Sequence, residues 1–174
     1  RVEIKLKRPP FSHVDLRIIP LKDREGRQVG KVIAWRDITA RIRAEEQLRI
    51  FFHAVEQNPV GIIITDPEGG IEYVNPRFTQ LTGYILDEVR GRNPRILKSG
   101  ETPDDVYGTL WQTIKSGQVW EGEILNRKKN GEVYWAHAMI APVLDKAGKA
   151  TRFIAMQQDI TVSKYTEAEL RMVN

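Results

Sequence analysis

Few residues in this sequence have the types and spacing that catalysis requires. The chain has no cysteine, which excludes thiolate nucleophiles, thiolate metal ligands and disulfides. Its three histidines, His13, His53 and His137, show none of the spacings of a metal-binding pair. Asp104 and Asp105 are neighbours on a predicted helix, so their side chains diverge, and we expect them to favour the positive helix N-terminus. The sequence therefore predicts a domain that is not itself an enzyme.

Amide and indole side chains are better candidates, because they can bind a small molecule without catalysing a reaction. Asn126 and Gln157 fall on predicted strands, and an amide can donate and accept hydrogen bonds at once. Polar groups on strands inside an apolar pocket are a usual source of ligand specificity. Each amide has a second interpretation, as a strand-end or solvated edge residue. Trp111, on a predicted helix face, is either a ligand contact or a core residue.

The composition is that of a soluble globular protein with one complete domain and an appendage. Hydrophobic residues make up 41% and charged residues 29% of the 174 residues. The net charge of +4 is dispersed along the chain, so we expect no nucleic-acid partner. No apolar stretch is long enough to span a bilayer, and the sequence begins without a signal-peptide pattern. We expect an internal, cytoplasmic fragment of a larger protein, whose remaining parts could include a membrane anchor.

An internal repeat defines the predicted boundaries. Asp37-Ile38-Thr39 recurs as Asp159-Ile160-Thr161, 122 positions later (159 − 37), and the same offset aligns the segment 2–6 with 124–128 without a gap. It also superposes identical residues at several further positions, among them Pro20 and Pro142, Asp23 and Asp145, and Gly26 and Gly148. The predicted segments are the C-terminal half of a preceding domain (1–39), a linker helix (40–57), a complete domain (58–162) and the start of an output helix (163–174).

The linker segment 40–57 has no glycine or proline and is rich in residues that favour helix. Its apolar residues recur with roughly helical spacing, at Ile42, Leu48, Phe51, Phe52 and Val55. A second amphipathic helix is predicted to begin after Asp159-Ile160-Thr161. These helices either transmit a movement between domains or act as passive spacers. We expect a homodimer that forms through the flanking helices.

The order of elements in the complete copy predicts an α+β fold. Alternation and turn signals indicate strands at 61–66 and 71–75, short helices near 76–81, 86–90 and 93–97, a longer helix at 103–116, and strands at 119–127, 132–142 and 151–159. Asn130-Gly131 between two of the strands is typical of an antiparallel hairpin. We expect an antiparallel sheet with the short helices on one face.

Several short motifs together resemble the PAS family. They are Ile64-Thr65-Asp66, the run from Tyr73 to Phe78, Leu81-Thr82-Gly83-Tyr84, Trp120-Glu121-Gly122-Glu123, the run from Asn126 to Gly131, and the closing Asp-Ile-Thr. The resemblance covers residues 50–162 and, through the repeat, 1–39. It implies a five-stranded antiparallel sheet, flanking amphipathic helices and an N-terminal three-stranded remnant of a preceding PAS domain. Members are ligand-binding or dimerising switches in sensor histidine kinases, cyclic-dinucleotide enzymes and chemoreceptors.

The segment 91–97 resembles the light-sensing branch of that family, in which a cysteine attacks a flavin ring. This chain has Pro94 at the position of the cysteine, so adduct formation is excluded. Asn126 and Gln157 match two of the flavin-ring contacts of that branch, and Ala136 replaces a third, which is an amide there.

The redox-sensing branch, which holds FAD, is the nearer resemblance. It is carried by the run from Ser99 to Pro103, by Tyr107, by Leu110-Trp111 and by Asn126. The resemblance implies FAD as a candidate cofactor, with the tryptophan beside the flavin and the asparagine bonded to its ring. Pro94 departs from this branch too, where a relative has a carboxylate. The predicted cofactor-binding residues are Trp111, Asn126, Gln157, Asn93 and Arg95.

The resemblance implies a sensory module of a multidomain signalling protein, with a sensor histidine kinase as the expected parent. A bound ligand or its redox state would alter hydrogen bonds to the sheet and turn the output helix, which leads to an effector domain in the same chain. The alternatives are a ligand-free PAS dimerisation or scaffold domain and the PAS domain of a cyclic-dinucleotide enzyme.

Overall fold

The computed structural model describes residues 2–5 and 13–173, and the chain divides into two compact units between His53 and Ala54. The first unit contains a three-stranded antiparallel sheet in the order β1-β2-β3. Its strands are β1 (Val2–Lys5), β2 (His13–Lys22) and β3 (Gln28–Asp37), and helix α1 (Thr39–Glu56) follows them. The last residues of α1 belong to the second unit.

The second unit has a five-stranded antiparallel sheet with strand order β5-β4-β8-β7-β6. Its elements are β4 (Gly61–Thr65), β5 (Ile71–Val74), α2 (Pro76–Thr82), α3 (Leu86–Val89), a 3₁₀ helix (Pro94–Leu97), α4 (Asp104–Lys115), β6 (Trp120–Arg127), β7 (Val133–Leu144), β8 (Ala150–Asp159) and α5 (Thr161–Val173). The predicted α+β class and the five-stranded sheet are confirmed.

Two buried clusters hold the helices against one face of this sheet. Leu110 and Ile114 of α4 share a cluster with sheet residues such as Ile124 and Phe153. The second cluster joins β4 and β5 to the short helices, and it includes the fully buried Phe78 and Val89. Burial of these side chains supplies the main driving force for the layered arrangement.

Proline and asparagine residues set several element boundaries. Asn75 is the N-cap of α2, with Pro76 at the first helical position, which proline tolerates because it lacks an amide hydrogen. Pro103 is likewise the N-cap of α4, so that helix begins at Asp104, one residue later than predicted. Strand β7 extends past Pro142, which the strand tolerates because β6 pairs only as far as Ile140.

The sequence repeat has a structural counterpart in the hydrogen bonds of the two sheets. Val14 pairs with Asp37 as Ala136 pairs with Asp159, and both strand pairs shift register at the equivalent position, after Leu21 and after Val143. In both copies the threonine that follows the last strand accepts a bond from a backbone N–H of the neighbouring strand: His13 N donates to Thr39 Oγ1 at 3.1 Å and Trp135 N to Thr161 Oγ1 at 2.9 Å.

The ungapped alignment of the first strand is wrong by two residues. Ile4 pairs with Val14, and the residue that pairs with the equivalent Ala136 is Ile124. Ile4 therefore corresponds to Ile124 and not to Asn126. The reason is the connection: residues 6–12 join β1 to β2, whereas the shorter segment 128–132 joins β6 to β7.

Within the described ranges, no helix combines the length and the apolar character that crossing a bilayer requires.

Candidate ligand-binding site

A cavity of about 120 Å³ lies between the sheet and the helices of the second unit. A single water needs only about 10–15 Å³ of such space, so the cavity could hold a larger molecule. Its walls are mainly apolar, with Ile63, Leu110, Ile140 and Phe153 among them. The polar residues of the lining are Thr65, Asn93, Arg95, Lys98, Tyr107, Asn126 and Gln157.

Strands β6 and β8 bring Asn126 and Gln157 to the same wall of the cavity. Both residues are buried, at 3% and 4% relative exposure, on strands that alternate inward and outward side chains. Asn126 Nδ2 lies 3.4 Å from Gln157 Oε1, and the hydroxyl of Tyr134 on β7 lies 3.3 Å from the same oxygen. The three side chains form one buried polar network.

Two side-chain polar atoms of the described residues are buried and have no hydrogen-bond partner: Gln157 Nε2 and the Tyr107 hydroxyl. Tyr107 and Gln157 both belong to the cavity lining. A buried unsatisfied donor costs roughly 1–3 kcal/mol, so native structures seldom keep one without a ligand, a water or a functional reason. The unsatisfied atoms therefore mark this cavity as a place where a ligand could add hydrogen bonds.

The repeat provides a comparison for Gln157. This residue pairs with Ala138 across β7 and β8, and Trp35 pairs with Leu16 at the equivalent position of the first sheet. A tryptophan at that position shows that the strand architecture does not require an amide there. With 4% exposure, Gln157 is also no solvated edge residue.

Trp111 reaches the cavity from helix α4. Its ring meets Phe153 edge to face, with centroids 6.2 Å apart and an interplanar angle of 90°. Aromatic pairs favour this geometry. Trp111 packs against the buried cluster, as a core residue would, and it also lines the cavity, so its role as a ligand contact stays a prediction.

Gly69 makes room for two of the predicted site residues, and the sequence indicated it only as part of a turn. Its φ is +90°, and a Cβ atom at this position would lie 2.5 Å from Asn93 Nδ2 and 3.3 Å from Trp111 Cη2. A side chain here would force the Asn93 amide to move and would crowd the Trp111 ring. The sequence indicated a turn with a left-handed backbone at this glycine, but it did not indicate how closely Asn93 and Trp111 approach it.

Asn93 and Arg95 lie together where the 3₁₀ helix begins. Asn93 Oδ1 accepts a hydrogen bond from Arg95 N at 3.0 Å, so its oxygen caps that helix while the residue lines the cavity. Arg95 is exposed at the rim. Lys98, which sequence reasoning missed, places Nζ 3.5 Å from the centre of the Tyr107 ring. The rim therefore carries two cations.

Burial raises the pKa of Tyr134 well above its ordinary value, and Asp159 contributes in the same direction. The hydroxyl consequently stays protonated and can act as a donor at neutral pH. No group of three or more His, Asp or Glu residues in the described part of the chain could hold a metal ion.

An antiparallel sheet with short helices over a mainly apolar cavity that contains a few polar groups defines a small α+β domain. The family model for the PAS domain matches residues 59–162, and the chain belongs to the PAS domain family.

The relatives are sensory and regulatory proteins. The nitrogen fixation regulatory protein of Klebsiella oxytoca is 41% identical over 122 residues, 70% of this chain and 25% of that protein. Phototropin-1A of Oryza sativa subsp. japonica is 38% identical over 127 residues, 73% of this chain and 14% of the relative. The aerotaxis receptor of Escherichia coli is 30% identical over 105 residues, 60% of this chain and 21% of the receptor. The chain thus spans a quarter or less of each of these relatives.

Solved structures agree with this assignment. An RNA-binding Light-Oxygen-Voltage receptor superposes with a TM-score of 0.69 at 25% identity, covering 95% of this chain and 44% of the receptor. A Light-Oxygen-Voltage domain described with a flavin analogue has a TM-score of 0.60 at 28% identity, covering 70% of this chain and 92% of that domain.

Proposed function

We propose that the second unit is a sensory PAS module whose cavity binds a flavin, with FAD as the first candidate, and whose output passes through α5. The observation that carries this proposal is the buried amide wall, where Gln157 Nε2 has no partner beside Asn126. A ligand that completes those hydrogen bonds would remove the cost of the unsatisfied donor.

The chemistry of the lining fits a flavin. One edge of an isoalloxazine ring carries both donors and acceptors, which suits two amides, while its flat remainder suits apolar walls and an indole. Arg95 and Lys98 at the rim suit the phosphates of the cofactor tail. The Light-Oxygen-Voltage relative described with a flavin analogue supports the same choice.

The cofactor would supply a redox centre that changes its protonation when it is reduced. Pro94 lines the cavity and has no nucleophilic side chain, so a covalent thiol adduct is not available at this position. The proposed stimulus is therefore redox state or ligand occupancy and not adduct-forming light chemistry.

The chain's own residues provide a route for the signal. Gln157 lies on β8 two residues before Asp159, whose carboxylate accepts a hydrogen bond from Thr161 N at 2.9 Å where α5 begins. A change in the hydrogen bonds of Gln157 would act on this junction directly. Coupling between linked sites is typically about 1–3 kcal/mol, which would be enough to bias the helix.

Reconstitution tests the cofactor. Purified protein incubated with excess FAD and passed through gel filtration should retain the visible absorption bands of a flavin. Gln157→Leu should lower the retained fraction, whereas Gln158→Leu, on the exposed side of the same strand, should not. Wild-type protein that stays colourless after this treatment would contradict flavin binding.

A ligand-free dimerisation domain is the second candidate, and the surface of α1 favours it. Leu48, Ile50 and Phe51 are 70%, 60% and 69% exposed, which is unusual for large apolar side chains on a helix. A second copy of the chain is the occupant that we propose. Sedimentation equilibrium should give a dimer that Phe51→Asp weakens and that Arg49→Asp leaves unchanged; dimerisation in a protein that never binds FAD would favour this candidate.

For the whole protein we propose a cytoplasmic sensor histidine kinase, with a cyclic-dinucleotide enzyme as the alternative. The support is the PAS membership, together with relatives that are regulatory and sensory proteins several times longer than the matched segment. Autophosphorylation of the full-length protein with ATP would support the histidine kinase. Synthesis or hydrolysis of a cyclic dinucleotide without autophosphorylation would support the alternative.

A further inference from the structure

The orientation of the Gln157 amide is the feature from which we infer a role for Tyr134. Gln157 Oε1 has two neighbours with polar hydrogens, Asn126 Nδ2 at 3.4 Å and the Tyr134 hydroxyl at 3.3 Å. Because the oxygen accepts from both, the amino group Nε2, at the opposite corner of the planar amide, must point away from these two neighbours. That atom is buried and has no partner.

The alternative orientation of the amide is unfavourable because of these neighbours. With the Asn126 amide in its present orientation, rotating the Gln157 amide by half a turn would place Nε2 against Asn126 Nδ2, and two amino groups cannot bond to each other. Tyr134 opposes the same rotation, since its protonated hydroxyl would lose an acceptor in a site where its own exposure is 1%. The burial that raises the pKa of Tyr134 keeps this hydroxyl a donor.

Backbone pairing explains how Tyr134 comes to this position. Asn126 and Tyr134 are directly opposite each other on β6 and β7, so both side chains leave the sheet on the same face. Gln157 lies opposite Ala138, whose small side chain leaves space for the amide to extend along the sheet toward Tyr134. The hydroxyl is thus held by the sheet and not by a mobile loop.

We propose that Tyr134 is a positioning residue whose hydroxyl holds the Gln157 amide with Nε2 toward the cavity, so that the wall selects ligands with a hydrogen-bond acceptor, a carbonyl oxygen or ring nitrogen, at that edge. This inference rests on the proposed function in one respect, that the cavity is the ligand site. The inference adds two points: the ligand must present a hydrogen-bond acceptor to β8, and Tyr134 is the residue that imposes this requirement.

The orientation can be tested in the ligand-free protein by NMR. The two Gln157 amino protons, assigned by through-bond correlation to the Gln157 side chain, should show nuclear Overhauser contacts to cavity-lining residues such as Ile63, and none to the Tyr134 ring. Tyr134→Phe should redistribute these contacts. Tyr73→Phe should leave them unchanged, because it removes a hydroxyl on strand β5 that donates to Glu56 of helix α1. Wild-type contacts from the amino protons to the Tyr134 ring would overturn the proposal.

Ligand binding gives an independent measurement. Loss of the Tyr134 hydroxyl should weaken FAD binding by roughly 3- to 10-fold, the usual effect of one buried hydrogen bond, and should shift the visible absorption bands of the bound flavin. Gln157→Glu, which replaces the donor by an acceptor, should weaken binding at least as much, and Tyr73→Phe should match the wild type. Equal affinities and spectra for wild type and Tyr134→Phe would overturn the proposal.

The two measurements separate this inference from the proposed function. If the wild type binds no FAD while the amino protons contact the cavity residues, flavin binding is wrong and the orientation stands. If FAD binds while the amino protons point to Tyr134, flavin binding stands and the role of Tyr134 is wrong. The wild-type NMR measurement also decides the orientation if a variant fails to fold.

Discussion

At the scale of single residues, the Asn75 side chain makes hydrogen bonds with both its oxygen and its amino group. The residue has no exposed surface, and its oxygen accepts from Ile62 N at 2.8 Å and Phe78 N at 3.0 Å. Its amino group donates to the carbonyl oxygens of Val55 and Val60 at 3.1 and 3.0 Å. One side chain therefore ties the end of α1 to β4 and to the start of α2.

Replacing this amide should be costly. Asn75→Ala removes the four hydrogen bonds of this side chain, although Phe78 N keeps the backbone oxygen of residue 75 and Val55 O keeps the N–H of Asn58. The free energy of unfolding should fall by about 3 kcal/mol. Urea denaturation measures this loss. Asn130→Ala is the control: Asn130 is exposed and accepts a single bond, from Glu132 N, so its removal should cost less than about 1 kcal/mol. Equal losses for the two variants would contradict the role of Asn75.

Gly69 is a second residue whose replacement has a defined effect. Gly69→Ala combines a strained backbone with a Cβ atom too close to Asn93, whereas Gly131→Ala has a similar φ of +92° with open space around it. Both variants should lose about 1 kcal/mol of stability from backbone strain. Only Gly69→Ala should also reduce FAD retention after gel filtration. Equal retention by both variants would show that the cavity wall tolerates the methyl group.

The site residues differ in how far the sequence could predict them. Trp111, Asn126 and Gln157 line one cavity, as the resemblance implied, because motif positions and strand alternation together specify the face. Tyr134 was missed because an aromatic residue on a strand has the pattern of an ordinary core residue. Its place beside the amides follows from its position opposite Asn126, which the pairing of β6 with β7 defines.

At the scale of elements, the junction between β8 and α5 depends on Thr161. Its hydroxyl oxygen accepts from Trp135 N at 2.9 Å, and Ile160 N donates to Trp135 O at the same distance. Thr39 and His13 make the corresponding bond in the first unit. The Asp-Ile-Thr motif is therefore a hydrogen-bonded corner that fixes where a helix leaves the sheet.

Thr161→Val keeps the shape of the side chain and removes the acceptor. The amide hydrogen of Trp135 should then exchange with solvent faster, by a factor of roughly 5 to 10, as expected for one lost bond. Hydrogen exchange followed by NMR measures this rate. Thr166→Val, which removes an exposed hydroxyl bonded within α5, should leave Trp135 exchange unchanged, and equal protection in both variants would contradict the inference.

Turns and strand pairs were more predictable than register. The connections at Asp23, Asp66 and Asp145 share one bonding pattern, in which the aspartate N–H donates to a carbonyl oxygen four residues ahead and a glycine N–H donates back to the aspartate carbonyl oxygen. Aspartate and glycine at this spacing indicate such turns directly. The register of β1 depends on the length of a connection, which no local pattern specifies, and the ungapped alignment was wrong there.

At the scale of the whole molecule, the two tyrosines with raised pKa values couple stability to alkaline pH. Burial is the main cause for both, and Glu56 adds to it at Tyr73. Above the ordinary tyrosine pKa of 10.0, the unfolded chain loses protons that the folded chain retains. This contribution is fully present below that pH and is lost as the pH rises toward the folded pKa values.

The free energy of unfolding should therefore decrease as the pH is raised above about 10. Urea midpoints measured at a series of alkaline pH values check this expectation. Tyr134→Phe should make the decrease shallower, whereas replacing Tyr165, which is 68% exposed on α5, by phenylalanine should not. A midpoint that stays constant across this range would contradict the protonation difference.

The strand order of the five-stranded sheet has a consequence for synthesis. The first and last strands of this unit, β4 and β8, lie side by side inside the sheet, and Gly61 pairs with Gln157 across nearly the full length of the domain. A nascent polypeptide emerging from a ribosome cannot close this sheet until its final strand is available, because the contact is highly non-local. Until β8 has been synthesised, β4 has only β5 as a partner, and its other edge stays unpaired and accessible to chaperones.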